Sequence, residues 1–93
     1  MQFEWDDLKA ASNKRQHGVS FTEAMTVFAD PLSLTALDPD HSAEEDRFIT
    51  IGNAATGRLI VVLHTDRGSQ IRIISARAAT KTERKEYEDV NFP

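Results

Sequence analysis

The chain has no cysteine. It therefore has neither a disulfide frame nor a thiolate nucleophile, and that absence suits a reducing compartment. Long apolar runs are missing as well: the longest, Leu59 to Leu63, is far too short to span a bilayer, and neither end reads as a signal segment. No metal-ligand spacing, phosphate-loop glycine pattern or hydrolase nucleophile motif occurs, and there is no internal repeat or low-complexity linker. What remains is 93 residues at 40% hydrophobic, enough for one compact domain with one core, soluble and intracellular by expectation.

Charge is unevenly distributed. Residues 1–46 carry ten acids against three bases, and residues 47–93 carry eight bases against five acids, within a formal net charge of −4. The total argues against diffuse nucleic-acid binding, whereas the basic second half permits a confined anion site; solvated helix faces also produce such asymmetry.

Periodicity and capping residues give the elements. Gln2 to Trp5 reads as a short strand. Asp6 or Asp7 then caps a helix through Leu8, Ala11 and Arg15, which Gly18 ends. Ser20-x-x-Glu23 is a capping box for a second helix with an apolar stripe of Phe21, Ala24, Met25 and Phe28, stopped by Asp30-Pro31. Leu32 to Leu37 is a further strand, and Asp38 to Ser42 a polar loop. Strands at Phe48–Ile51, Arg58–Thr65 and Gln70–Ala76 follow, separated by turns at Asn53–Gly57 and Asp66–Ser69 short enough to force antiparallel pairing. Thr80-x-x-Glu83 caps a last helix ending near Val90. The expected class is α+β: a short N-terminal strand, two helices, an antiparallel sheet of three to four further strands, and a C-terminal helix.

Only His17, His41 and His64 titrate near neutrality without perturbation. His64 shares a face with Ile60 and Val62, where a packed strand residue is the ordinary reading and an acid or base the other. His17 precedes Gly18, where imidazole can bond helix-terminal carbonyls. His41 sits among Asp38, Asp40, Glu44 and Glu45, but these have no specific ligand spacing, so an acidic loop is the simpler account. Arg72 and Arg77 stand near the ends of Arg72-Ile73-Ile74-Ser75-Ala76-Arg77. Five positions apart in a strand, they face opposite sides unless the strand bends, so one anchors the sheet and the other meets a ligand, or both pair with Glu45, Asp46 or Glu83. Arg84 and Tyr87 are i and i+3 on the last helix, bracketed by Lys81 and Lys85, a face able to hold an RNA backbone with Tyr87 stacked on a base. The residues alone reach a small α+β domain with a confined basic site.

Five motifs in order add to this: Phe3-Glu4-Trp5-Asp6; Asn13-x-x-x-His17-Gly18-Val19-Ser20-Phe21; Glu45-Asp46-Arg47-Phe48-x-x-Ile51-Gly52; Arg72-Ile73-Ile74-Ser75-Ala76-Arg77; and Glu83-Arg84-x-x-Tyr87. Their order and spacing, from residue 3 to residue 88, resemble the BrnT family of bacterial toxins. The resemblance implies a fold similar to RelE-type ribonucleases and a cytoplasmic, metal-independent RNA endonuclease without cofactor that halts translation. It also implies neutralisation by a BrnA-like antitoxin, with operator DNA contacted only through the antitoxin complex and no membrane partner. On that reading Arg72 and Arg77 stabilise phosphate charge and His64 is the first choice of acid or base. Lys14 and His17, which fall in the family's helix-end motif, are the second choice, and Arg84, Tyr87, Lys81 and Arg47 position RNA. The alternative from a different class is a non-catalytic binding module whose basic face docks an acidic partner.

Overall fold

A computed structural model describes residues 1–40 and 45–93. Strand β1 (Gln2–Glu4) leads into helix α1 (Asp7–His17), then α2 (Phe21–Met25) and a 3-10 turn (Thr26–Ala29). Strands β2 (Leu34–Leu37), β3 (Arg47–Asn53), β4 (Leu59–Arg67) and β5 (Gln70–Ala78) follow, and helix α3 (Lys81–Asn91) closes the chain. The α+β order agrees with the sequence reading. The sheet runs β1-β5-β4-β3-β2, with β2 to β5 paired antiparallel. The first strand supplies what local pattern does not show: it pairs parallel with β5, Glu4 opposite Arg72, and makes the sheet mixed.

The capping residues act as their chemistry dictates. The Asp6 carboxylate accepts from the Leu8 and Lys9 amides, Gly18 takes the left-handed conformation (φ 69°), and Thr80 with Glu83 closes a full capping box on α3. Ser20 accepts from the Glu23 amide, but the Glu23 carboxylate turns instead to Arg58 and Thr56, so only half of the second box forms. That helix lasts five residues before tightening into the 3-10 turn. Asp30 then accepts from the Leu32 and Asn53 amides, which turns the chain into β2. Gly52 is required where the 3-10 turn crosses β3, since a Cβ there would stand 3.0 Å from both Val27 Cγ1 and Ser33 Cβ.

The core lies on one face of the sheet. Ile60 and Val62 of β4 and Ile73 and Ala76 of β5 pack with Val19, Phe21, Ala24 and Val27, while Phe3, Trp5 and Phe28 close its rim. Helix α1 contributes almost no apolar surface: Leu8 is exposed and its one buried residue is Asn13. The Asn13 amide donates to the carbonyls of Val19 and Ala76 and its oxygen accepts from the Ala76 amide, so the side chain occupies the edge of β5 beyond the reach of the three-residue β1. Asn13→Ala leaves these buried backbone groups without partners and is expected to destabilise the fold by about 3 kcal/mol in denaturant unfolding, more than any exposed α1 substitution.

Candidate phosphate-binding face

One irregularity in β5 organises the arginines. Leu63 pairs with Ser75 but His64 pairs with Ile73, so Ile74 is an extra residue and the strand bulges there. The bulge resets the alternation. Arg72 falls opposite Thr65 and Arg77 opposite Val61, two residues of equal parity on β4, and both arginines point to the outer face of the sheet. The opposite orientation expected of a regular strand therefore does not hold. Their partners on β4 are four residues apart, about 13 Å along the strand.

Each arginine meets a carboxylate. Arg77 donates twice to Glu83, at 2.7 and 2.8 Å, and this bond is the main reason the Glu83 carboxyl is pushed down to about 2. Arg72 lies 3.8 Å from Glu4, too long for a hydrogen bond. Arg67 reaches the same Glu4 oxygen at 3.8 Å and donates to both oxygens of Glu45. Arg47 pairs with Thr65 from the β3 side. Arg47, Arg67 and Arg72 thus surround Thr65, and the Glu45 carboxyl, lowered chiefly by its bond to Arg67, also feels the charges of Arg47 and Arg72. Sequence reading missed Arg67 because Asp66 to Ser69 looked like turn, whereas the strands run to Arg67 and from Gln70. A two-residue Gly68-Ser69 loop was the available signal.

His64 lies on the other face. It is 2% exposed, with its ring edge-on to Phe28 and stacked on Phe48. Its Nδ1 is 3.1 Å from the Asp66 carboxylate, which can only accept, so Nδ1 carries the proton; Nε2 then accepts from the Thr50 hydroxyl at 2.8 Å, which itself accepts from Thr35. Burial lowers the His64 pKa, and Asp66 opposes this only in part. The sheet separates this imidazole from Arg72 and Arg77.

The second-choice histidine is placed differently. His17 is exposed at the end of α1 and, with Lys9, Ser12 and Gln16, lines a polar cleft against Ile74 and Ser75 at the bulge. Ser75 stands on the outer face between Arg77 and Arg72 in sequence, and neither arginine lines the cleft itself. Lys14 is exposed on the same last turn and acts at longer range on Glu23. On α3, Lys81 and Arg84 are exposed, but Tyr87 is 3% exposed, its hydroxyl donating to Asp30 at 2.7 Å and accepting from Asn53. Tyr87 does not share an open stacking face with Arg84, because it is buried and helps to anchor α3. The reading of His41 falls outside the described residues. Among the described residues no group of three potential ligands could hold a metal, and no helix is long and apolar enough to cross a membrane.

His64 makes stability depend on pH in a definite sense. Its folded pKa lies below the unfolded value of about 6.5, so the unfolded chain binds the extra proton first. The stabilisation is complete above about 6.5 and is lost as pH falls from there towards the folded value. Denaturant midpoints measured between pH 8 and 5 should decline across this window, and His64→Gln should remove that part of the slope.

No curated protein matches the chain. The fold is similar to the 1.1 Å crystal structure of the Brucella abortus ribonuclease toxin BrnT, at 25% identity and a TM-score of 0.64, over 87% of this chain and 99% of that one. A family model described as the ribonuclease toxin BrnT of type II toxin–antitoxin systems matches residues 5–83. With most of its length so matched, this chain belongs to the BrnT family of ribonuclease toxins of type II toxin–antitoxin systems.

Proposed function

We propose that this chain is an RNA endonuclease that cleaves without a metal ion, halts translation in the cytoplasm, and is neutralised by a BrnA-like antitoxin. The observation that carries the reading is the bulge at Ile74, which turns Arg72 and Arg77 to one face together with Ser75, a residue of the His17 cleft. In the reaction the ribose 2′-oxygen attacks the adjacent phosphorus as a base removes its proton. The bond from phosphorus to the 5′ oxygen breaks, and an acid protonates that oxygen, leaving a 2′,3′-cyclic phosphate and a 5′-hydroxyl. Guanidinium groups stabilise the charge gathering on the phosphoryl oxygens. Arg72 and Arg77, about 13 Å apart along the strand, hold two different phosphates of one strand. His17 supplies acid or base, with Lys14 beside it; His64 would first have to leave Thr50 and Asp66, and its part is structural. Lys81, Arg84 and Arg47 extend the positive path, while Tyr87 fixes α3. A net charge of −4 suits a protein that meets operator DNA only through its antitoxin complex.

The ion pairs of Arg77 with Glu83 and Arg67 with Glu45 favour a second reading, a non-catalytic module whose basic groups serve structure and docking. Tightly induced expression, alone and with the neighbouring gene, separates the two. The ribonuclease predicts growth arrest relieved by the neighbour, and chelator-resistant RNA cleavage that leaves 5′-hydroxyl ends. Arg72→Ala and His17→Ala should each slow purified cleavage by about 10²-fold or more. Normal growth and intact RNA from soluble protein would overturn it.

A further inference from the structure

The outer face holds one polar atom that the fold leaves without a partner. Thr65 is 1% exposed, and its hydroxyl oxygen is the only buried side-chain polar atom among the described residues that makes no hydrogen bond. Buried hydroxyls are nearly always satisfied, because an unmet one has given up its bonds to water without replacing them. By register the side chains around it are Arg47 on one flank and Arg72 on the other, with Leu63 and Arg67 two positions along its own strand.

Glu4 shows where an anion is drawn in this cluster. A single oxygen of Glu4 sits 3.8 Å from both Arg67 and Arg72, held by charge but hydrogen-bonded to neither. The Glu4 carboxylate closes neither gap, whereas a tetrahedral phosphate presents an oxygen to each guanidinium and a further one to a hydroxyl donor. The Arg67 guanidinium is held by its two bonds to Glu45, but that pair is half-exposed and weak, and the Nη1 facing Glu4 makes no hydrogen bond among the described residues, so an anion can be met from that side.

We propose that Arg67, Arg72 and the Thr65 hydroxyl form a seat for one RNA phosphate, and that Glu4 is a resident anion which competes for it. The seat rests on the reading of RNA as substrate and extends the site beyond Arg72 to residues on β1 and β4. As Glu4 is pushed aside by like charge and the side chains over Thr65 part, its hydroxyl, closed to solvent in the free chain, donates its proton to a phosphate oxygen while the two guanidiniums bridge the others. Glu4 then sets affinity: it weakens every anion that arrives and favours those able to bond all three donors at once.

The test uses the full chain and a short single-stranded DNA oligonucleotide, which lacks the 2′-hydroxyl and is not cleaved, with binding followed by fluorescence anisotropy over a range of salt. Arg67→Ala should weaken binding about tenfold and flatten the slope of log affinity against log salt by about 0.7, the loss of one phosphate contact. Glu4→Gln should tighten binding several-fold. Thr65→Val should weaken it a few-fold while melting at the wild-type temperature or above, because the hydroxyl it removes has no partner in the fold. Wild-type binding by both Arg67→Ala and Thr65→Val, weaker binding by Glu4→Gln, or a lowered melting temperature of Thr65→Val would each overturn the seat. RNA left intact by wild type alongside the expected binding shifts would remove the ribonuclease reading and keep the seat. RNA cleaved by wild type with binding indifferent to all three substitutions would do the reverse.

Discussion

A single inserted residue in β5 is the constraint on which the rest of this protein depends. Without the bulge at Ile74 the strand alternates strictly, and burying Ile73 and Ala76 on one face would be impossible, since residues three apart point to opposite sides. With it, both enter the core and both arginines leave it. The same extra residue thus completes the hydrophobic face and assembles the charged one, so removing it would disturb packing and the candidate site together.

The bulge also decides how the sheet edge is closed. Strand β1 covers β5 only from Gln70 to Arg72, and beyond the bulge Asn13 supplies a donor and an acceptor to Ala76 as a neighbouring strand would. A polar anchor explains why a helix with so little apolar surface stays in place. It also fixes the end of that helix, and hence His17, against Ile74 and Ser75. Backbone satisfaction and presentation of the imidazole are joined through one amide.

Most of the architecture was legible because it is local. Asp6, Gly18, Ser20 and Thr80 sit where helix ends require them, and short turns leave consecutive strands no choice of direction. The parallel partner of β1 was not legible: it lies almost the whole chain away, and a three-residue strand carries no signal of its neighbour. Nor was the bulge, since Ile74 is an ordinary strand residue with no glycine or proline to mark it. From that one omission came the expected divergence of Arg72 and Arg77. Tyr87 faced inwards for a reason equally remote, its bonds to Asp30 and Asn53. Among the candidate site residues, the arginines and His17 could be named from their chemistry, but their grouping is a product of register.

Glu83 belongs to two structures at once. It caps the start of α3 through the Thr80 amide and clamps Arg77 with both oxygens. An incoming anion that takes Arg77 frees one carboxylate from divided service and leaves it wholly to the helix. An anion on the outer face at Arg77 would therefore act on the first turn of α3 through this one carboxylate.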